Sequence, residues 1–494
     1  MSTTAAAPSA TAGSGPGPLR GRSGRALRAV VACISVLALL SPAVDAQEPP
    51  PAGAAVTATS VAPLATPVLS ARRVPELLRS RIADSRIRQA IEPLLATVPA
   101  GSCIVVANAG RTVVEVNGDT PMVPASTQKL LTAVAVLGTF DSEQRLDTVL
   151  LAAAPPRDGV VEGDVYLVGG GDPLLTTPGY QQALENPDQL VNPFAPLAER
   201  VAAAGVREIR GDIVADESRY DAERWVRTWP ERYRREGYVG PLSALIVNDG
   251  NTGLSVMPDR PSASRQPGDP PILAAETLKS YLLSRGVLVT GGPVAGIAPA
   301  GAVELARLES LPMRDLVTEM IADSDNTTAE LLVKELGLAR AGTGSTDAGV
   351  AVIAETLAAR GLPTDGLVVT DGSGLDTGNR VSCKLLVAAL DEQGPTSVLA
   401  QALPIAGETG TLRKRMRNTP AQGRVRAKTG TLREVNALAG FATTTSGATL
   451  TFAYVVNGPD QPLGYQPIDD FMAALVGVPD GPPVSELEPR RPGA

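Results

Sequence analysis

The spacing of hydrophobic residues changes along the chain and predicts helices in some stretches and strands in others. Between residues 74 and 95, apolar side chains recur every three or four positions, which indicates a helix. Two runs rich in β-branched residues, 103–106 and 112–116, predict a pair of strands joined by a short turn. A second helix is predicted to begin at Pro124 and to continue through the apolar run 130–137.

Beyond this helix the pattern changes to short apolar runs separated by glycine and proline, and helical spacing dominates again only after residue 305. We therefore predict an inserted, mostly β module at 150–305 within a larger domain made of residues 73–149 and 306–478. The second part of that domain includes predicted helices and strands at 316–322, 328–336, 352–360, 424–431, 435–442, 448–456 and 467–476. The predicted fold class is α/β, of the α+β kind, with an antiparallel sheet flanked by helices.

The first 46 residues have the features of a secretory signal peptide. Their opening part carries only positive charges, and the apolar run at 29–40 is shorter than the roughly 20 residues that span a bilayer. Small residues around Ala46 form a cleavage pattern, so we predict removal of this segment and a location outside the cytoplasm, with an uncleaved anchor as the alternative. Residues 47–72 are predicted to be a Pro/Ala/Thr-rich linker, and residues 479–494 a flexible tail.

Composition excludes several kinds of chemistry. The 494-residue chain contains no histidine, so neither a Ser-His-Asp triad nor a histidine-ligated metal site can form. Of the three cysteines, Cys33 lies in the predicted signal peptide, and the remaining two are too few for a cysteine zinc site. We expect neither a metal nor a cofactor. The net charge is −8 and no basic face is interleaved with aromatic residues, so no nucleic-acid partner is expected.

Three further features each allow two interpretations. Cys103 is predicted to be a buried thiol, with a disulfide to Cys383 as the alternative that an oxidising compartment permits. The glycines at 169–171 predict a turn, because no Gly-Lys-Ser/Thr follows them as it does in a phosphate-binding loop. Trp225 and Trp229 flank an arginine-rich loop, which we interpret as a solvated surface with two anchoring rings rather than a site for an acidic or glycan ligand.

One serine and one lysine are candidates for chemistry. Ser126 and Lys129 are three residues apart at the predicted start of the second helix, which puts the hydroxyl and the amine on one face. The chain has only six lysines among its 44 basic residues, and a buried lysine can lose its proton whereas an arginine cannot. Without histidine, Lys129 is the candidate base that would activate Ser126 as a nucleophile. The alternative for Lys129 is an ordinary exposed helix lysine.

Three short motifs occur in an order that is specific in combination. They lie at a predicted helix start, between two predicted helices and in a predicted strand, and they are Ser126-Thr127-Gln128-Lys129, Ser324-Asp325-Asn326 and Lys428-Thr429-Gly430. This trio is the signature of penicillin-binding proteins and serine β-lactamases. Together with the stretches 163–173, 371–375, 410–415 and 427–432, it makes the chain resemble the low-molecular-mass class C penicillin-binding proteins over about residues 75–478. These are the D-alanyl-D-alanine carboxypeptidases and endopeptidases of the S13 peptidase family.

The resemblance implies a β-lactamase/transpeptidase-like domain interrupted by the inserted module. In that family a large insert separates the first two motifs, and here Ser126 and Ser324 are 324 − 126 = 198 residues apart. One position departs from the family. Where its members often read Gly-Leu-Ser-Arg after an Asp-Gly-Ser turn, this chain continues with Leu375, Asp376 and Thr377.

The resemblance also implies acyl transfer, in which Ser126 attacks the carbonyl between two D-alanines and water later releases the acyl chain. By the same resemblance, Lys129 acts as the base, Ser324 carries a proton, and Asn326 forms hydrogen bonds to Lys129 or to the substrate amide. Lys428 and Thr429 bind the terminal carboxylate, and Gly430 leaves room for substrate. The backbone N–H groups of Ser126 and Thr431 form an oxyanion hole. The implied partners are peptidoglycan stem peptides ending in D-Ala-D-Ala as substrates, and β-lactams as acylating inhibitors. As a base, Lys129 needs a lowered pKa, for which we expect the helix N-terminus and Lys428 to be responsible.

Two alternatives remain open. A serine β-lactamase shares all three motifs but hydrolyses its acyl-enzyme quickly, so turnover of a penicillin would distinguish it. A non-catalytic peptidoglycan-binding scaffold would use the insert as its working part and would release no D-alanine.

Overall fold

The structure, a computed structural model, describes residues 70–252, 266–458, 464–479 and 481–489. The predicted signal peptide and its cleavage site, almost all of the predicted linker and the end of the predicted tail lie outside the described residues. Within the described ranges, no helix combines the length and the apolar character that crossing a bilayer requires.

The helices and strands are numbered here in chain order. The described α-helices are α1 (Pro75–Leu95), α2 (Gln128–Thr139), α3 (Pro178–Gln182), α4 (Ala195–Ala203), α5 (Arg232–Arg235), α6 (Pro270–Ser284), α7 (Met313–Ala322), α8 (Asn326–Ala341), α9 (Thr346–Ala359), α10 (Cys383–Gln393), α11 (Val398–Ala402), α12 (Gln466–Val476) and α13 (Val484–Leu487). The described strands are β1 (Ser102–Asn108), β2 (Arg111–Val116), β3 (Thr148–Ala152), β4 (Val160–Glu162), β5 (Val165–Val168), β6 (Leu175–Thr176), β7 (Asn192–Pro193), β8 (Glu208–Arg210), β9 (Ile213–Asp216), β10 (Asn251–Thr252), β11 (Gln266–Pro267), β12 (Leu288–Val289), β13 (Pro293–Ala295), β14 (Val303–Leu308), β15 (Val425–Leu432), β16 (Val435–Thr443) and β17 (Thr449–Asn457).

A five-stranded antiparallel sheet, in the order β15-β16-β17-β1-β2, is central to the fold. Successive side chains of a strand point to opposite faces, and here both faces are covered. Val105 packs into an apolar cluster with α2, α7, α8, α9 and α10, whereas its neighbour Val106 packs into a second cluster with α1 and α12. The middle strands are therefore apolar almost throughout. This arrangement confirms the predicted antiparallel sheet flanked by helices.

The inserted segment forms sheets and an apolar core of its own. Its larger sheet has five strands in the order β13-β9-β5-β3-β14, and a three-stranded parallel sheet has the order β12-β8-β4. Helices α4 and α6 contribute side chains to this apolar core. The edge strand β14 pairs with β3, from Val303 opposite Ala152 to Leu308 opposite Thr148. The strands of this sheet thus lie between Thr148 and Leu308.

Cys103 and Cys383 form a disulfide, so the interpretation of Cys103 as a buried thiol is wrong. Cys103 lies in β1 and Cys383 is the first residue of α10, which packs on that strand. Both side chains are fully buried, and their Cα atoms are 6.0 Å apart, a normal separation for a disulfide. The bond joins the central sheet to the helical layer that carries the candidate site.

Part of the tail predicted to be flexible is helical. The four residues of α13 pack against α1, and Leu487 is buried there. The Arg72 guanidinium donates a hydrogen bond of 2.8 Å to the Glu486 carbonyl. The start and the end of the described chain therefore meet at α1.

Candidate active site

Ser126 lies in a short 3₁₀ turn, Ala125–Thr127, that leads directly into α2. The sequence predicted a helix beginning at Pro124, whereas α2 begins at Gln128 and the 3₁₀ turn fills the positions between. Ala125 has a φ of 47°, which is uncommon for a residue other than glycine and is maintained only where the surroundings enforce it. Helix α2 is buried from its first residue to Val136. The half-buried Ser126 hydroxyl is thus presented by a rigid element.

Two glycines hold the segment before Ser126 from opposite sides. A Cβ atom on Gly430 of β15 would lie 2.8 Å from the Pro124 carbonyl oxygen, and one on Gly374 would lie 1.9 Å from the Ala125 carbonyl oxygen. Both contacts are with backbone, which cannot move aside cheaply. The sequence suggested that Gly430 leaves room for substrate. In the structure, the backbone that leads to Ser126 occupies that space.

Lys129 is fully buried and has three polar neighbours. Its Nζ lies 2.7 Å from Asn326 Oδ1, 2.7 Å from the Ser373 carbonyl oxygen and 3.2 Å from Ser126 Oγ. The exposed-lysine alternative is therefore excluded. Asn326 is the first residue of α8, and its amide nitrogen donates to the Tyr238 carbonyl at 2.7 Å, which fixes the direction of its oxygen towards Lys129.

Burial lowers the pKa of the Lys129 amine from its ordinary value of 10.5 to about 8. Four carboxyl groups oppose this shift, those of Asp325, Glu330, Asp371 and Glu319. From the sequence, we expected the helix N-terminus and Lys428 to lower the pKa of Lys129. The cause in the structure is removal of the amine from water.

A second lysine and serine form a pair across the site. Lys428 Nζ in β15 donates to Ser324 Oγ at 2.7 Å and to the Thr429 carbonyl at 3.0 Å. Burial, followed by repulsion from Lys129, holds the pKa of Lys428 well below its ordinary value. Ser324 has a φ of 62°, so the loop between α7 and α8 turns sharply where it meets Lys428.

The remaining predicted site residues follow Lys428 along β15. The Thr429 hydroxyl donates to Thr411 Oγ1 at 2.9 Å. Thr431 is exposed at the end of the strand, with its hydroxyl 3.5 Å from Asn436 Oδ1. Lys129 is thus bonded to both Ser126 and Asn326, and Ser324 is bonded to Lys428 as a second pair.

A cleft of about 500 Å³ opens beside this site. Val123 and Leu432, which border the segments of Ser126 and Thr431, contribute to its wall. Thr377, at the position where the resembled family often has arginine, also lines the cleft, as does Arg232.

Sequence reasoning missed a buried glutamate that supports the site. Glu330 is fully buried, and its carboxyl group accepts hydrogen bonds from the backbone N–H groups of Ser373 at 2.7 Å and Gly372 at 3.1 Å. Burial raises the pKa of Glu330 to about 8. The signal available in the sequence was spacing, because Glu330 follows Asn326 by four residues and so shares its face of α8.

The loop between Trp225 and Trp229 was predicted to be a solvated surface with two anchoring rings, and Trp229 is such an anchor. This side chain is buried in an apolar cluster with Tyr233, Leu331 and Leu375, and its indole N–H donates to Asp371 Oδ2 at 2.8 Å. Trp225 is half-buried and lies under the Arg234 guanidinium, 5.0 Å from the ring centre. Among the described residues, no group of three or more acidic or cysteine side chains is arranged to hold a metal ion.

Comparison with known proteins assigns the chain to a family. The profile described as the D-Ala-D-Ala carboxypeptidase 3 (S13) family matches residues 84–270 and 260–477. The chain belongs to the S13 family. The resemblance inferred from the three motifs is confirmed.

Relatives of this S13 protein include two named carboxypeptidases. The D-alanyl-D-alanine carboxypeptidase of Actinomadura sp. is 32% identical over 445 residues, which cover 75% of this chain and 80% of the relative. The carboxypeptidase DacB of Mycolicibacterium smegmatis is also 32% identical, over 75% of this chain and 78% of the relative. The crystal structure of penicillin binding protein 4 from Haemophilus influenzae shares the fold, with a TM-score of 0.66, 22% identity, and coverage of 78% of this chain and 98% of that one.

Proposed function

We propose that this S13 protein is a serine-type D-alanyl-D-alanine carboxypeptidase that forms its acyl-enzyme on Ser126 and also cleaves peptide cross-links as an endopeptidase. The family assignment and the two carboxypeptidase relatives support the reaction class. The site geometry supports the assignment of roles to individual residues.

The observation that carries the proposal is the arrangement around the Lys129 amine. A neutral amine has two N–H bonds and one lone pair. Asn326 Oδ1 and the Ser373 carbonyl, both 2.7 Å away, accept the two hydrogens. The lone pair is then left to face Ser126 Oγ at 3.2 Å. With a pKa of about 8, a substantial share of Lys129 is neutral near physiological pH, and this is the form that accepts the serine proton.

The reaction then proceeds in two steps. Ser126 Oγ attacks the carbonyl carbon of the penultimate D-alanine while its proton passes to Lys129, and the bond to the terminal D-alanine nitrogen breaks as that nitrogen takes a proton through Ser324. Water next attacks the acyl carbon, which releases the shortened peptide and restores the Ser126 hydroxyl. For a cross-linked substrate, the leaving amine belongs to the second peptide strand.

The strand β15 supplies the groups that hold substrate. Lys428 and Thr429 bind the terminal carboxylate, and the backbone N–H groups of Ser126 and Thr431 form the oxyanion hole, where a single donor is worth roughly 3 kcal/mol in other enzymes. Gly430 lets β15 approach the Ser126 segment closely enough for the two N–H groups to converge.

The protein is expected to act outside the cytoplasm on peptidoglycan stem peptides ending in D-Ala-D-Ala, after cleavage of its signal peptide near Ala46. β-Lactams are proposed to acylate Ser126 as substrate mimics. The name of the structurally similar Haemophilus penicillin-binding protein supports the proposed reaction with β-lactams.

The test is incubation with purified muropeptides, followed by measurement of free D-alanine and of cleaved cross-links. We expect D-alanine release, stable labelling by a fluorescent penicillin, and loss of both in Ser126→Ala. The matched control is Ser382→Ala, the same change at a hydroxyl that only caps α10. Labelling of Ser126→Ala would remove Ser126 from the mechanism, rapid penicillin hydrolysis would favour a β-lactamase, and no D-alanine release would favour a non-catalytic scaffold.

A further inference from the structure

A segment of the inserted module, residues 228–238, bonds directly to the walls of the candidate active site. The Trp229 indole donates to Asp371 Oδ2 at 2.8 Å, and the Tyr233 hydroxyl donates to the Leu375 carbonyl at 3.0 Å. The Tyr238 carbonyl accepts from the Asn326 amide. The predicted insert therefore contributes to the same pocket as the three motifs.

Asp371 is the point where the indole meets the turn formed by residues 371–375. Its side chain is fully buried. One carboxylate oxygen accepts from the Gly374 N–H and the Asn379 amide, each at 2.8 Å, and the other accepts from the Asp376 N–H at 2.6 Å and from Trp229. The indole is therefore one of the two hydrogen-bond donors to the second oxygen.

The same turn holds Lys129. The Ser373 carbonyl accepts one hydrogen of the Lys129 amine, while the Ser373 N–H is bonded to Glu330. Gly374 packs against the Ala125 carbonyl, directly before Ser126. A shift of the turn would therefore move the acceptor of Lys129 and the backbone of the nucleophile together.

We propose that Trp229 is a positioning residue for acylation. By anchoring Asp371, it holds the turn 371–375 in the arrangement that directs the Lys129 lone pair at Ser126. The inference rests on the proposed role of Lys129 as base. It gives the inserted module a part in the reaction itself, in place of the separate wall-binding task that the scaffold alternative assigned to it.

A structural role alone would lower stability, so the test needs a readout that stability does not move. The charged groups that face Lys129 are Asp325, Glu319, Glu330 and Asp371, which raise its pKa, and Lys428 across the site. The Trp229 hydrogen bond lowers the pKa of Asp371, so loss of the indole favours a proton on Asp371. A protonated Asp371 no longer raises the pKa of Lys129. The acidic limb of the acylation profile, which is the range of pH over which the acylation rate rises to its plateau, should then move to lower pH.

The experiment measures the second-order rate constant for acylation by a chromogenic β-lactam between pH 5.5 and about 9.5, per active site counted by exhaustive penicillin titration. For Trp229→Phe we expect about a tenfold lower plateau, in keeping with loss of a hydrogen bond to a charged group, and a limb displaced to lower pH. The matched control is Trp225→Phe, which removes the other indole of the same loop; the hydrogen bond to Asp371 comes from Trp229 and is kept. It should retain the wild-type plateau and limb.

Two outcomes would overturn the proposal. One is a Trp229→Phe enzyme whose plateau and limb match those of Trp225→Phe, even if its melting temperature falls. The other outcome applies if Trp229→Phe yields no folded protein. Asp371→Asn then serves as the variant, because it keeps an oxygen for the indole but removes the charge. If its acylation rate rises over the same pH range as that of the wild type, the proposed effect of Asp371 on Lys129 is refuted. Failure of the proposed function would look different, because Ser126→Ala would then still be acylated.

Discussion

Removal of the disulfide between Cys103 and Cys383 should cost more stability than any packing change at either residue. The bond closes a loop of 280 residues. In the chain-entropy model, with ΔS of about −2.1 − 1.5R ln n, a loop of this length loses about 19 cal/mol/K, which is about 5.6 kcal/mol at 25 °C. Each buried sulfur replaced by alanine adds a cavity term of about 1 kcal/mol.

The assay is guanidinium unfolding followed by tryptophan fluorescence for the wild type, Cys103→Ala, Cys383→Ala and the double variant. Either single change breaks the bond, so each should lower the free energy of unfolding by about 6 to 7 kcal/mol, and the double change by only about 1 kcal/mol more. With an unfolding entropy of about 2.1 cal/mol/K per residue over roughly 400 described residues, 6 kcal/mol corresponds to a melting temperature lower by about 7 °C. The slope of the denaturant dependence should rise, because the unfolded chain becomes more expanded.

Two results would refute this reasoning. If the two single variants added up to the double variant, the sulfurs would be acting independently and no bond would exist. If the double variant lay within about 1 kcal/mol of the wild type, loop closure would not be the source of stability. Acylation by penicillin per folded molecule should stay unchanged in all three variants, since neither sulfur is bonded to a site residue.

Three further predictions concern the site. Acylation should increase about fiftyfold from pH 6 to pH 8, because with a pKa of about 8 the neutral share of Lys129 rises from about 1% to about half; a flat stopped-flow profile would contradict this. Gly430→Ala should lower acylation by more than about a hundredfold, because its Cβ would displace the Pro124 carbonyl; Gly211→Ala, whose Cβ would meet the Gly163 backbone away from β15, should destabilise the fold and leave acylation per folded molecule intact. Lys428→Met should weaken kcat/KM about tenfold more for peptides with a free terminal carboxylate than for their amides, and equal losses would argue against carboxylate binding.

Local patterns were sufficient to predict much of the framework. The helix predicted at 74–95 corresponds to α1, and the predicted strand pair to β1 and β2. These elements depend on periodicity and turn residues within a short window, which the sequence displays directly. The motif around Ser126 could be recognised for the same reason, since the start of a helix and the three-residue spacing between Ser126 and Lys129 are local properties.

The features that were misread involve pairs of residues far apart in the chain. The disulfide joins positions 280 residues apart, and the bond from Trp229 to Asp371 spans 142 residues. Nothing in the neighbourhood of either partner indicates the other, so the sequence predicted an anchoring ring at Trp229 but not that Asp371 is its partner. Glu330 is the exception: its position one helical turn beyond Asn326 was visible, but its partners belong to a turn more than forty residues away.

Burial accounts for the charge state of the site as a whole better than repulsion between its two lysines does. Four carboxyl groups face Lys129, and in their ionised forms they raise the pKa of the amine and so oppose the effect of burial. Burial raises the pKa of three of them, Glu319, Glu330 and Asp371, so these groups hold protons more readily than exposed carboxyls. The same removal from water therefore disfavours the positive charge on the amine and the negative charges around it. A lysine base without histidine thus depends on the apolar packing of α2, α7 and α8 around it, as well as on its immediate neighbours.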